Sequence, residues 1–407
     1  MSSMKDSFRI VLPNYLNSDR FFVFLLCIIF VFGGGTFIKS EHQKSDLENR
    51  TLARFEHFTI DGFASGSFQE NFENAFSDQF VKSADIRAVY GELINALPTF
   101  GLDSFACSGR YVTVPGSTDG SRVSFNCEDY IMYRPSTMDS SQEKIFNQNI
   151  SKYNRVNSIV DTYYYFINDA TTFDFSSGAQ VIDYAASLKE KLKGKYHFAS
   201  FSFDGFNEFK KYFYNTDHHW NYIGSYKGYV EISGLLGIED VAKPAGTLTG
   251  DKPIYGSHAR TLRYYKYSDN MVAYSFDVPE HDTLINRKAE EYGHFADYFE
   301  RNYTYDKNTN YYSYVYGPDR GEIIFDFHNS NKENLLIISN SFSNPINVLL
   351  AQHFDTTYVV DLRYYNKQIG EEFSIEDYVK NNKIQKVLFI MSPTFVTKKD
   401  SNQGLEV

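Results

Sequence analysis

Short apolar bursts punctuate the chain from residue 160 onward, and between them apolar residues recur at spacings of three and four. Val160 to Ile167 (Val-Asp-Thr-Tyr-Tyr-Tyr-Phe-Ile) is aromatic-rich and β-branched, which predicts a buried strand. The segments 196–202, Asn334 to Asn340, Thr357 to Tyr365 and Lys386 to Met391 read as further strands, the third with a charged end. Helical spacing predicts helices over 140–159, over 179–193 with Val181, Tyr184, Leu188 and Leu192 on one face, and from Gly224-Ser225 to Leu236. Two more are predicted over Ile346 to Phe354 and over Ile375 to Asn382, the latter with Ser374 as its N-cap. Strand alternating with helix at these spacings is the signature of an α/β fold, a parallel sheet with helices on both faces. Residues 240–330 break the rhythm. They are rich in Tyr, Asp, Asn and Gly, predict short strands at 261–268, 271–277 and 311–316, and read as an insertion or lid over the sheet, or as a small subdomain.

The N-terminal part follows a different pattern. Residues 21–38 are uncharged and mostly apolar, and at helical rise they span roughly 27 Å, enough for a bilayer core. Lys5, Arg9 and Arg20 precede them, so residues 1–20 are expected in the cytoplasm, 21–38 as a single transmembrane anchor and 40–407 as an extracytoplasmic domain. A cleaved signal peptide is the rival reading. It lacks a small-residue cleavage site, for which Gly33-Gly34-Gly35 is a weak substitute. Farther on, Phe68, Phe72, Ala75, Phe76 and Phe80 predict an amphipathic helix.

Composition adds limits. The net charge of −11 with no basic cluster in the body argues against a nucleic-acid partner. Aromatic residues make up 17% of the chain. That excess suits a surface that stacks on sugars, and a low-GC codon bias toward Phe, Tyr, Asn and Lys explains it equally well. Of three cysteines, Cys27 lies in the apolar run, which leaves Cys107 and Cys127 flanking a Gly/Ser/Thr-rich segment. In an oxidising compartment these two form a plausible disulfide, and two buried free thiols are the alternative.

The chemistry concentrates in Lys210-Lys-Tyr-Phe-Tyr-Asn-Thr-Asp-His-His-Trp-Asn-Tyr-Ile-Gly224, which holds two of the ten histidines and the only tryptophan. In an extended segment, residues i and i+2 share a face, so Asp217 and His219 would lie together with His218 turned away. A carboxylate beside an imidazole fixes its tautomer and stabilises the imidazolium, as a general base for a serine requires. A buried histidine held by a neighbouring acid is the bland alternative. A metal site on Asp217, His218 and His219 is weaker, because adjacent strand residues diverge. Ser341 stands at the C-terminal tip of a predicted strand, just before a helix, where open α/β sheets carry function. It reads equally as a plain helix N-cap, a role open also to Ser343 or Asn344.

These residues resemble the DHHW proteins, relatives of the SGNH-like alginate O-acetyltransferases. The matching stretches are Glu48-Asn-Arg-Thr-Leu52, Phe72 with Asp78-Gln79-Phe80, Tyr212 to Trp220, Ser341-Phe-Ser-Asn344 and Asp361-Leu-Arg-Tyr-Tyr365, in the family's order and covering about residues 45–395. The resemblance implies a three-layer SGNH-hydrolase-like sandwich with a central parallel sheet. It also implies a triad of Ser341 as nucleophile, His219 as base and Asp217 as orienting acid. Trp220, Asn344 and His218 would bind substrate or support the site. Arg363 would support the nucleophile turn, bind an anionic group, or pair with Asp361 or another acid. Asn340 departs from the Asp that many relatives carry before the serine. The activity implied is O-acetylation of a polysaccharide through an acetyl-serine, with no cofactor, beside a multi-pass membrane O-acyltransferase that delivers acetyl. A carbohydrate esterase or deacetylase with the same triad is the alternative, as is a non-catalytic scaffold or glycan-binding subunit of an exopolysaccharide machine.

Overall fold

The computed structural model describes residues 50–80, 109–117, 119–290, 299 and 305–405, with isolated positions between 23 and 45. They fall into two compact units, residues 1–90 and 91–407.

In the first unit, helices Ile60–Ser65 and Ser67–Gln79 meet at Gly66, whose φ of 82° is readily adopted by glycine alone. Phe68, Phe72, Phe76 and Phe80 form a ladder with successive ring centroids 6.1, 6.3 and 5.6 Å apart, the i, i+4 ridge that their spacing predicts. The preceding chain is tied to this helix at both ends of one residue. Ala53 N–H donates to Asp78 Oδ2, and Gln79 Nε2 donates to the Ala53 carbonyl, each at 2.8 Å. Within the apolar run 21–38, positions 23, 26, 27, 30 and 34–38 are helical and the others lie outside the described residues. Among the described residues, no helix is long and apolar enough to cross a membrane.

The second unit is built on one eight-stranded sheet. In chain order its strands are β1 (Asp161–Ile167), β2 (Tyr196–Phe201), β3 (Asp282–Ile285), β4 (Lys288–Ala289), β5 (Glu322–Asp326), β6 (Leu335–Ser339), β7 (Thr356–Val360) and β8 (Lys386–Met391). Across the sheet they run β4-β3-β5-β7-β6-β8-β1-β2. From β7 to β2 every pairing is parallel; β5, β3 and β4 extend the sheet antiparallel at the other edge. The sheet is therefore mixed rather than purely parallel. Five of the strands are those the hydrophobic runs predict, and the antiparallel extension comes largely from the segment whose pattern was least regular.

The flanking helices are α1 (Ser140–Ile159), α2 (Tyr184–Lys191), α3 (Gly205–Tyr212), α4 (Tyr222–Leu236), α5 (Ser257–Leu262), α6 (Tyr311–Tyr316), α7 (Asn347–Ala351) and α8 (Ile375–Asn381). Successive strand residues point to opposite faces, so the sheet carries two separate cores. Tyr163, Tyr165, Ile337 and Leu388 pack with α3, α4 and α7. Tyr164, Phe166, Ile338 and Phe389 pack with α1, α2 and α8. Three layers result. The aromatic excess lies largely in this interior, where Phe201, Phe206, Phe209, Phe213 and Trp220 share one cluster.

Between 240 and 330, strands Gly246–Ile254 and Asp269–Ser275 pair as an antiparallel ribbon. Two of the three strands predicted there are not strands. The stretch 261–268 contains the end of α5 and a bend, and 311–316 is α6. Tyrosine-rich runs satisfy strand and helix patterns alike when they are this short, and here burial of Tyr311, Tyr312, Val315 and Tyr316 favours the helix. Cys127 is disulfide-bonded, and its expected partner Cys107 lies outside the described residues.

Two glycines of α4 separate packing from propensity. A Cβ on Gly228 would sit 2.5 Å from the buried Trp220 ring, whereas one on Gly234 would meet nothing within 4 Å. Gly228→Ala should lower stability by about 1–3 kcal/mol through overpacking, and Gly234→Ala should raise it by about 0.5–1 kcal/mol. Denaturant midpoints of the two variants, compared with the parent, check both signs.

Candidate active site

The loop between α3 and α4 is closed by local chemistry. Phe213 and Trp220 form an antiparallel bridge, and Tyr214 N–H donates to the His219 carbonyl at 3.2 Å. Asn221 caps α4 through Oδ1, which accepts the Ile223 and Gly224 N–H groups at 3.0 Å each. Its Nδ2 donates back to the Lys211 carbonyl at 3.0 Å. A Cβ on Gly224 would lie 2.2 Å from the Tyr212 carbonyl oxygen, so the loop ends can approach this closely only with glycine there.

Residues 215–219 are therefore a chain of bends rather than the extended segment that the i, i+2 argument assumes. The pairing of Asp217 with His219 survives, but the divergence of His218 does not. The His218 ring lies 3.9 Å from that of His219, with its Nδ1 3.6 Å from Asp217 Oδ1 and 2.7 Å from Ser257 Oγ.

Asp217 and His219 are buried. Asp217 Oδ1 is 2.6 Å from His219 Nδ1 and also accepts the His219 backbone N–H at 3.1 Å, while Oδ2 accepts Ser257 N–H at 2.6 Å. Burial by itself pushes this carboxyl up, but His219, His218 and the Ser257 N–H outweigh it and hold it well below the usual carboxylate range. An ionised carboxylate only accepts, so the Nδ1 proton belongs to His219 and its Nε2 is left as an acceptor. That Nε2 lies 2.7 Å from Ser341 Oγ.

Ser341 begins a 3-10 turn, Ser341–Ser343, at the C-terminal end of β6. The cap of this turn is Asn340, not Ser341, Ser343 or Asn344. Its Oδ1 accepts Phe342 N–H at 3.2 Å and its Nδ2 donates to Ser392 Oγ at 3.3 Å. An asparagine serves the capping role as an aspartate would, and its amide adds a donor that a carboxylate lacks. The Ser343 and Asn344 N–H groups are taken by the Asn340 and Ser341 carbonyls. Among the described residues, Ser341 N–H is the donor of this turn left without a hydrogen bond.

The remaining expected residues separate. Trp220 is fully buried against Phe201 and Phe342, so it supports the loop and touches no open surface. Asn344 Nδ2 donates to the Gly317 carbonyl at 3.2 Å and ties the Ser341 turn to the end of α6. Arg363 donates through Nε to Asp361 Oδ1 at 2.9 Å and lies 3.5 Å from Asp319, which is the ion-pair reading.

Several residues at the site carry no signal in the sequence. Asp269, buried on the antiparallel ribbon, accepts the Asn215 and Thr216 N–H groups at 2.6 and 2.9 Å and the Thr216 hydroxyl. Gly256 lies so close that a Cβ would sit 2.4 Å from the Asp217 Cβ. Ser257 and Tyr312 complete the surroundings. All are far from the motif along the chain, and none belongs to a recognisable pattern.

Asp217, His218 and His219 could each offer a ligand atom, all within 4.8 Å of one another. The 2.6 Å contact between Asp217 Oδ1 and His219 Nδ1 is a hydrogen-bond length. Two ligands on one zinc ion, about 2 Å from it in tetrahedral geometry, would stand farther apart. The donor set fits proton transfer better than coordination.

Fold and site together define a class: a mixed α/β domain with a large mixed sheet, carrying a buried carboxylate–imidazole pair against a serine at the end of a central strand. Solved structures resemble this chain in fold. A DHHW family protein from Eubacterium siraeum is similar over 70% of this chain and 94% of its own, with a TM-score of 0.51 and 18% identity. PatB1 of Bacillus cereus is similar over 67% of this chain and 97% of its own, with a TM-score of 0.52 and 18% identity, and its structure has also been solved with a sulfonyl adduct. At these identities the likeness shows a shared fold. No protein-family model and no curated protein matches the sequence.

Burial pushes the Asp269 carboxyl up to about 6, against the hydrogen bonds that lower it. A folded value above the unfolded one means that the stability contributed by the protonated form is complete below about pH 4 and is lost as pH rises through about 6. Relative to Asp269→Asn, the parent should lose on the order of 3 kcal/mol across that window. Denaturant unfolding of both proteins from pH 4 to 7 measures the difference.

Proposed function

We propose that this chain is an O-acetyltransferase that modifies a cell-surface or secreted polysaccharide through an acetyl-serine intermediate. One observation carries the reading: the unbroken hydrogen-bond series Asp217–His219–Ser341, with Ser341 at the end of a central strand. His219 Nε2 takes the Ser341 proton as Oγ attacks an acetyl ester carbonyl, and the Ser341 N–H faces the developing oxyanion. Collapse expels the donor alkoxide, which leaves with the proton from His219. A sugar hydroxyl then attacks the acetyl-serine, passing its proton to His219, and Ser341 Oγ recovers that proton as the acetylated sugar departs. Asp217 remains ionised throughout and stabilises the imidazolium.

The apolar run 21–38, with basic residues before it, supports a single-pass anchor that keeps the N-terminus cytoplasmic and this site outside. A chain with one span does not carry acetyl across a bilayer, so a multi-pass membrane O-acyltransferase is the partner we propose as donor. The sulfonyl adduct of PatB1 supports the use of a sulfonyl fluoride as a probe of this site, because such reagents sulfonylate activated serines with loss of fluoride.

The test is mass spectrometry of the full chain after exposure to a phenyl sulfonyl fluoride or an acetyl ester, with and without an oligosaccharide. The parent should gain one sulfonyl or acetyl group, on Ser341. Ser341→Ala and His219→Ala should gain none, and Asp217→Asn should lose about 10⁴-fold in ester turnover. Acetylated oligosaccharide supports transfer, and release of acetate alone turns the reading to an esterase. Equal labelling of the parent and Ser341→Ala would sink the triad, and the scaffold reading would lead.

A further inference from the structure

One buried side chain touches both reacting partners of the proposed triad without belonging to it. Tyr312, on α6, lies face to face with His219, ring centroids 3.8 Å apart and planes 7° from parallel. Its hydroxyl donates to the Ser341 carbonyl at 2.9 Å. The two contacts are independent, one to the base and one to the backbone of the nucleophile, and they come from a residue 93 positions after His219 along the chain. A ring held by one face alone could still tilt about its Cβ–Cγ bond. His219 is gripped in its plane by Asp217 at Nδ1 and on its face by Tyr312, and together these fix where Nε2 points.

We infer that Tyr312 is the positioning residue of this site, and that its aromatic face stabilises the imidazolium formed each time His219 takes up a proton. The inference rests on the triad reading and deepens it. The electron-rich face of a tyrosine attracts a cation lying over it. Neutral imidazole gains little from that field and imidazolium gains more, so the contact strengthens when Ser341 gives up its proton and weakens when the proton is passed on. It favours the charged intermediate over the resting state, which is the differential binding that catalysis requires. The hydroxyl acts at the same moment on the other partner, holding the Ser341 carbonyl so that the turn does not swing as Oγ attacks.

The other titratable groups that bear on the pair are Asp217 and His218 on the same loop, Asp269 on the antiparallel ribbon, His258 and Arg260 on α5, and Arg363 beyond β7. All are unchanged by substitution at 312, so a change in pH response there reports on the ring.

The experiment compares the full chain with Tyr312→Phe, Tyr312→Leu and a variant carrying pentafluorophenylalanine at 312. Acetyl-ester kcat and KM are read from pH 4.5 to 8.5, with melting curves to confirm folding. Tyr312→Phe retains the face and loses the hydroxyl, so kcat should fall by about threefold to tenfold, as for one lost hydrogen bond, with the acid limb of the profile in place. Tyr312→Leu should lose about tenfold to a hundredfold in kcat at little change in KM. Its acid limb should move to lower pH by about half to one unit, the size of a cation–π contact. Pentafluorophenylalanine keeps the shape of phenylalanine but reverses the charge on its face, so it decides the matter even if the leucine variant does not fold. An acid limb shifted from that of Tyr312→Phe supports the inference, and coincident profiles overturn it, leaving Tyr312 a packing residue. Ser341→Ala is assayed alongside. If it turns over ester like the parent, the triad reading itself has failed, an outcome distinct from coincident profiles in an enzyme that still depends on Ser341.

Discussion

The site depends on keeping one carboxylate charged where water cannot reach it. An isolated ionised carboxylate in a protein interior is so costly that it would take up a proton instead. Asp217 stays ionised because its two oxygens receive three donors: the His219 ring, the His219 backbone and the Ser257 backbone. Each donor imposes a requirement elsewhere. The ring must lie in one plane, the loop must bend to bring its own N–H round, and the start of α5 must approach within hydrogen-bond reach. The last of these explains Gly256, since a side chain there would collide with Asp217. Thr216 is held in turn by Asp269, by Gly256 N–H and, through its carbonyl, by the first turn of α5. The short distances at His219 follow from this web.

Much of the sheet was legible in the sequence because its central strands are buried on both faces. Runs such as Leu335 to Ser339 and Lys386 to Met391 leave no polar position to confuse the pattern, and the helices between them keep a clear apolar face. Asp217 and His219 were paired correctly on a wrong premise. The extended geometry does not exist, but a tight bend brings the same two side chains together, and it brings His218 with them. The antiparallel edge was not legible. β3 and β4 are short and partly exposed, and their alternation is lost among turn residues.

The second tier of the site was illegible for a different reason. Asp269, Gly256, Ser257 and Tyr312 act through contacts that span tens of residues, and nothing local distinguishes them from other polar or aromatic positions. Tyr312 lies in a run of tyrosines, one of which meets the catalytic histidine proposed here while its neighbours fill a core. Asn340 shows the converse. It departs from the residue that the resemblance leads one to expect, and its amide caps the turn through Oδ1 and reaches Ser392 as well.

The span of these contacts along the chain has a bearing on how the protein reaches its working state. Ser341 meets His219 across 122 residues, and Ser257 meets Asp217 across 40. Contacts this remote form late, because the entropy of closing a long loop must be met before any of them is gained. A chain that has collapsed around its central strands but has not yet docked the ribbon and α5 would own every residue of the site and lack its geometry. Such an intermediate would carry the serine as an ordinary, unreactive alcohol. In the triad proposed above, reactivity at Ser341 would then serve as a clock for the last step of folding, chemically silent until the ribbon and α5 dock.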